Sequence, residues 1–125
     1  MRRFEKEILA AIDRSPYIFI KAGSRPHRPI VIWVVIVERR VFVRSWSFKA
    51  RSWNRVLQKE PLAVIQVGKR KCRVRSVRTR SIRLKNLIDR AYLKKYGKGG
   101  MVRFAKDLGR PKSRATTMEL LPLPK

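Results

Sequence analysis

The run Ile30 to Val37, Ile-Val-Ile-Trp-Val-Val-Ile-Val, limits what this chain can fold into more than any other feature. Seven of its eight residues are β-branched and all eight are apolar. Such side chains are stiff at χ1 and favour extended backbone, and a run apolar at both parities asks for cover on both faces. Eight residues suit a strand, and they fall far short of the ~20 needed to cross a bilayer. The spacing therefore predicts a central, doubly covered strand over 30–37 and no membrane partner. Glu38 to Arg40 is a tight turn into a second strand, Val41 to Ser45. A connection that short permits an antiparallel hairpin and excludes a parallel crossover.

The remaining periodicities fill in the fold. Phe4, Ile8, Ala11 and Ile12 share a helical face, Glu5 and Glu7 lie near the positive end of the dipole, and Ser15-Pro16 ends the helix predicted over 3–14. Tyr17 to Lys21 reads as a strand and Gly23 to Pro29 as a loop. Ala50 to Lys59 has helical spacing through Trp53 and Leu57, and Pro61 lies just beyond it. Leu62 to Val67 is a strand and Gly68 to Lys71 a basic turn. Cys72 and Val74 then alternate with Arg73 and Arg75, so one face of this strand points inward and the other is cationic. Ser81 is placed to cap a long helix on which Leu84, Leu87, Ile88, Ala91 and Tyr92 share a face, and Gly97 is read as its left-handed stop. Met101 to Lys106 adds a further helical turn or two. Thr116 to Leu121 closes the chain as a strand. Five or six strands, tight turns and interspersed helices define a single mixed α+β domain over residues 1–125, built on a small barrel or curled sheet.

Charge bears on partners. The chain carries 33 Lys and Arg against 8 Asp and Glu, a net charge of +25, with 20 Arg to 13 Lys. Guanidinium is a planar fork suited to phosphate, so a phosphate-bearing or polyanionic partner is expected. Hydrophobic content of 44% removes disorder as the explanation. The densest block runs from Lys69 to Lys85, with nine bases and no acid. Lys69, Arg70, Lys71, Arg73, Arg75, Arg78, Arg80 and Arg83 are its candidate nucleic-acid contacts, to RNA or DNA phosphates; the alternative is a solvated turn and strand face. No aromatic residue interrupts the block, which argues against base stacking within it.

Catalytic signals are sparse. His27 is the only histidine and Cys72 the only cysteine, so no zinc-type ligand spacing exists and no metal is expected. A Cys72–His27 nucleophilic pair is disfavoured, because Cys72 takes the inward register of its strand. One cysteine makes no internal disulfide, and Glu5, Lys6 and Glu7 interrupt any signal-type apolar core after the N-terminal arginines. The expected location is the cytoplasm. The more informative set is Arg28, Trp33, Arg44, Ser45, Trp53 and Arg55. Arg44 and Ser45 end a strand just before the loop into the Trp53 helix, where a guanidinium and a hydroxyl can converge on one phosphate. On residue types alone the plainer reading prevails: Arg44 and Arg55 solvated, Trp33 and Trp53 in the core.

Arg25-Pro26-His27-Arg28-Pro29-Ile30, Trp33-Val34-Val35, Val41-Phe42-Val43-Arg44-Ser45 and Trp53-Asn54-Arg55 together resemble the bacterial domain-of-unknown-function family 2255. Ala91-Tyr92-Leu93-Lys94-Lys95-Tyr96-Gly97 and Ala115-Thr116-Thr117-Met118-Glu119-Leu120-Leu121-Pro122 continue the resemblance over nearly the whole chain. That family is similar to FMN-binding split-barrel proteins, which include pyridoxamine-phosphate oxidases and deazaflavin-dependent nitroreductases. The resemblance implies a split β-barrel of about six mostly antiparallel strands with flanking helices, and a homodimer. It further implies a flavin-type cofactor, FMN or a deazaflavin, and oxidoreductase chemistry. By position, Arg44 and Ser45 match the place where relatives grip cofactor phosphate, Arg28 a basic residue before the central strand, and Trp53 and Arg55 the start of the next helix. Trp46, Ser47 and Phe48 depart from the pattern, standing where nitroreductase relatives carry glycines. Two other readings stay open: a basic barrel that holds nucleic acid and no cofactor, and a non-catalytic scaffold.

Overall fold

Strict alternation along β-strands sorts the apolar side chains into two cores on opposite sides of one curved sheet. The computed structural model describes residues 3–23, 28–46 and 52–124. In chain order the elements are α1 (Lys6–Arg14), β1 (Ile18–Ala22), β2 (Ile30–Ile32), β3 (Val34–Val37), β4 (Arg40–Val43), α2 (Trp53–Lys59), β5 (Leu62–Val67) and β6 (Arg70–Arg78). They continue through α3 (Ile82–Tyr96), a 3-10 turn at Gly99–Met101, α4 (Val102–Asp107), α5 (Pro111–Arg114) and β7 (Met118–Pro122). The sheet order is β2-β1-β5-β6-β7-β4-β3, antiparallel throughout.

The two ends of that order, β2 and β3, are successive pieces of one strand. Ile32 pairs with Ile18 of β1, and two residues later Val34 pairs with Val43 of β4. The chain changes partners at Trp33 and so closes the sheet into a nearly complete barrel, which removes open edges. The expected single strand over 30–37 is thus split, and seven strands appear where about six were anticipated. Its cover is also uneven: Val34 and Val35 are buried, whereas Ile30 and Val31 are 38% and 49% exposed. The doubly covered segment is the β3 half alone, because among the described residues no helix packs over Val31 on the outer side of β2.

Two tyrosines of α3 stabilise the break. Beyond the Val34–Val43 pair, the next rung would join Trp33 to Arg44. The Tyr92 hydroxyl occupies that gap, donating to the Trp33 carbonyl at 2.9 Å and accepting the Arg44 amide at 3.1 Å. Tyr96 does the same for Val34, accepting its amide at 3.2 Å and donating to its carbonyl at 3.1 Å. Both hydroxyls supply partners that the interrupted ladder withholds. Burial holds the Tyr92 phenol neutral, well above the usual tyrosine range, and pushes Tyr96 up to about 12.

Inward side chains of the barrel, including Ile18, Ile20, Ile32, Val34, Val41, Val43, Ile65 and Val74, form one core with Ile12 of α1 and Trp53 and Leu57 of α2. Outward residues Val35 and Phe42 form a second with Leu84, Ile88, Tyr92 and Tyr96 of α3 and Ala105 and Leu108 of the α4 segment. Helix α3 begins at the predicted cap, where Ser81 Oγ accepts the Leu84 amide at 3.1 Å. Gly97 does not end it in a left-handed turn: its φ is −78°. Glycine is needed there for space, since a Cβ would lie 2.0 Å from the Leu93 carbonyl oxygen. Among the described non-glycine residues, left-handed backbone falls in the β3–β4 turn, at Glu38 (φ 53°) and Arg39 (φ 62°), the turn geometry that matches the twist of a hairpin.

Candidate functional site

Residue Arg44 follows β4 in the outward register, which aims its side chain away from the barrel interior and under α3. There the guanidinium joins four segments. Its Nε donates to Thr117 Oγ1 at 2.8 Å, Nη1 to the Asp89 carboxylate and to the Leu108 carbonyl at 3.0 Å, and Nη2 to the Lys85 carbonyl at 2.9 Å. The side chain is wholly buried and lies 5.8 Å over the Tyr92 ring. Burial lowers the guanidinium from the usual arginine range, and the hydrogen bond to Asp89 works against that shift. Asp89 also binds Arg114, whose Nη2 reaches Asn86 Oδ1 at 3.1 Å. One carboxylate therefore serves two guanidiniums.

The neighbouring Ser45 is buried, and its amide donates to Thr116 Oγ1 at 2.8 Å. Thr116 and Thr117 each donate their hydroxyl back to a carbonyl of α5, Ser113 and Arg114, at 2.6 Å. Asn54 of α2 completes the seam, with Nδ2 donating to the Thr116 carbonyl at 3.0 Å. The end of β4, the start of β7, α2 and the α4–α5 segment are thereby fixed around one point.

Trp46 comes next and turns outward. It is 55% exposed, stands edge-on to Phe104 at 5.8 Å and directs Nε1 at Asp107 Oδ2, 3.4 Å away. Phe104 in turn packs against Trp33 at 5.0 Å. With Arg110, Pro111, Lys112 and Ser113, Trp46 and Asp107 line a cleft of about 550 Å³. Arg110 lies 3.4 Å from Asp107. Trp46 thus lies against α4 and not within the barrel, while Ser47 and Phe48 lie outside the described residues.

The six residues expected to share a cofactor site are dispersed. Trp33 belongs to the outer core and Trp53 to the barrel core. Arg28 and Arg55 are exposed. Arg44 and Ser45 are adjacent and both buried, but the Arg44 guanidinium is directed to Asp89 and Thr117 and not to a surface phosphate. The solvated reading of Arg44 is equally at odds with its burial. His27 lies outside the described residues, and Cys72 is half-buried against the barrel core, in the register expected. Sequence reasoning overlooked Asp89, the Thr116–Thr117 pair and the Trp46 cleft. A signal existed for the first, because Asp89 is the lone acid between Pro61 and Lys106.

The basic block Lys69 to Arg83 is exposed at each of its cations. Arg70 and Arg83 approach acids: Arg70 lies 3.8 Å from Glu7, and Arg83 is 2.6 Å from Glu38, whose carboxyl it holds below the usual range. Arg73 and Arg75 project outward from β6, as the alternation predicts.

This arrangement of strands is a split barrel, and solved structures share it at low identity. A Listeria innocua protein assigned provisionally as a pyridoxamine 5′-phosphate oxidase superposes with a TM-score of 0.61 at 9% identity, covering 95% of this chain and 91% of that one. The haem storage protein HutZ of Vibrio cholerae gives 0.64 at 14% identity, with 98% and 91% covered. A conserved hypothetical protein of Mycobacterium tuberculosis gives 0.62 at 9%, with 98% and 81% covered. No curated protein matches. Residues 9–120 match the family described as uncharacterized proteins conserved in bacteria, DUF2255. The chain belongs to that family. Among the described residues no helix is long and apolar enough to cross a membrane.

Proposed function

We propose that this chain binds a flavin-type cofactor, FMN or a deazaflavin, with the ring against Trp46 and its phosphate near Arg110 and Lys112. The observation that carries the reading is the exposed Trp46 indole, held edge-on by Phe104 as the wall of a cleft that also holds two cations. A flat aromatic wall suits a planar ring, and guanidinium and ammonium suit phosphate. The fold likeness to a provisional pyridoxamine 5′-phosphate oxidase and to a haem protein supports a cofactor in general. Among the described residues the lining holds no His, Cys, Met or Tyr to serve as an axial ligand, which favours a flavin over haem. Bound there, the flavin would supply redox chemistry. The protein would supply the stacking wall and the phosphate contact. Arg44 would act as a positioning residue, because its bond to the Leu108 carbonyl and Asp89's hold on Arg114 fix the segment that carries the cleft.

Titration with FMN, riboflavin and a deazaflavin, followed by the cofactor's own fluorescence, tests the reading. Trp46→Ala should weaken FMN by about fivefold or more, the scale of an aromatic contact. Reversal of Arg110 and Lys112 to Glu should weaken FMN and leave riboflavin nearly unchanged. Absence of binding at high micromolar concentration, or a Trp46→Ala variant that binds as wild type, rejects the site.

A further inference from the structure

We propose that the outward face of β1, β5 and β6 is a platform for single-stranded nucleic acid, on which Tyr17 and Phe19 stack bases while Lys71, Arg73 and Arg75 hold phosphates. In sequence these aromatics lie about fifty residues from the cations. Pairing brings them onto one surface. Partners across an antiparallel sheet share a face, so the register defines three outward rows: Val31–Phe19–Gln66–Lys71, Lys21–Val64–Arg73 and Leu62–Arg75–Leu121. Tyr17 joins the first, packed edge-on against Phe19 at 5.4 Å. With strands ~4.8 Å apart, Phe19 and Lys71 stand about 10 Å from one another across β5.

The rows contain four cations, Lys21, Lys71, Arg73 and Arg75, and no carboxylate. The next outward pair along β6 is Val77–Glu119, and Glu119 is bound by Arg40 at 2.7 Å. The face is open in part: Tyr17, Val31 and Leu62 are 41%, 49% and 50% exposed, and Phe19 is half-buried beside them. On the far side of the barrel, by contrast, α3 covers the outward residues Val35 and Phe42. An exposed sheet with aromatic rings beside a cationic stripe matches unpaired bases and a phosphate chain together. A duplex would meet the cations and leave the rings unused. A second copy of this chain would set the same cations against themselves at +25 per copy, and the acids beside them, Glu5 in one cleft with Lys71 and Arg73 and Glu7 at 3.8 Å from Arg70, are outnumbered. The cofactor reading plays no part in this argument, since the Trp46 cleft contains none of these residues.

The test is fluorescence anisotropy with a labelled twenty-nucleotide oligothymidylate and a duplex of equal charge, each over a salt series. Wild type should prefer the single strand. Arg73→Glu with Arg75→Glu should lower affinity and flatten the log–log salt slope by about 1.4, the loss of two single-strand phosphate contacts at ~0.7 each. Tyr17→Ala with Phe19→Ala should weaken binding about thirtyfold or more and leave the slope unchanged; Phe19→Leu, which retains aliphatic packing, replaces Phe19→Ala if the latter melts early. Reversal of Arg90 and Lys94, exposed cations of α3, should have little effect. Equal binding of duplex and single strand, unchanged affinity after loss of the rings, or an α3 reversal as costly as the β6 reversal overturns the platform in favour of diffuse charge. A concentration-dependent dimer that the ring substitutions dissociate also overturns it, in favour of a self-interface.

Discussion

The Arg44 guanidinium and the Asp89 carboxylate form an ion pair beneath α3 in which the arginine side chain has no exposure and the aspartate retains 25%. The pair joins β4 to the middle of α3. Through Thr117 and the Leu108 carbonyl it also draws in the start of β7 and the end of α4. A buried charge with well-placed partners adds little net stability, whereas removal of one partner leaves the others desolvated and unanswered.

Arg44→Met is therefore expected to destabilise the fold by about 3–5 kcal/mol, the usual cost of breaking a buried ion pair. Arg114→Ala should cost about 1 kcal/mol or less, because that guanidinium reaches solvent. Urea denaturation of both variants measures the difference. Equal losses would mean that Arg44 is not the centre of the network.

The split of the 30–37 run is expected to appear as a contrast between two substitutions three residues apart. Val34 has no exposure and faces the barrel core, so Val34→Asp should prevent folding by burying an unpaired carboxylate at a cost of several kcal/mol. Val31 is half exposed on the open face, so Val31→Asp should leave a cooperative thermal transition in place. A Val31→Asp chain that fails to fold would show that this face is covered in solution.

Lys95 is expected to make stability rise with pH above neutrality. Its ammonium donates to the Ile12 and Val34 carbonyls at 3.0 and 2.9 Å, and burial pushes its pKa from 10.5 down to about 8, against an opposing pull from Asp13. Between about 8 and 10.5 the unfolded chain holds the proton that the folded chain has released, so the folded state gains stability as pH rises. Above 10.0 the trend reverses, because an unfolded Tyr96 ionises while the folded one, raised to about 12, does not. Denaturation midpoints at pH 7.5, 8.5 and 9.5 should climb in wild type and stay flat in Lys95→Met. A wild-type profile as flat as that of Lys95→Met would show that Lys95 keeps its ordinary pKa.

By itself the sequence determined what short-range physics controls. Apolar alternation placed β5 over Leu62–Val67 and set Cys72 and Val74 inward against Arg73 and Arg75. The Ser81 hydroxyl and the spacing of Leu84, Ile88 and Tyr92 marked α3, and the tight turn after Val37 required an antiparallel neighbour. The tertiary structure decided matters that depend on residues far apart. Trp33 breaks its strand because barrel closure demands a change of partner, and the hydroxyl that fills the missing rung comes from Tyr92, fifty-nine positions away. Arg44 looks the same in sequence whether it meets a solvated phosphate or a buried aspartate; the outward register of β4 and the helix above it determine which. Tyr17 and Phe19 join the β6 cations only because β5 pairs with both strands. Local propensity acts over a few residues, whereas burial, charge pairing and shared faces are properties of the closed sheet.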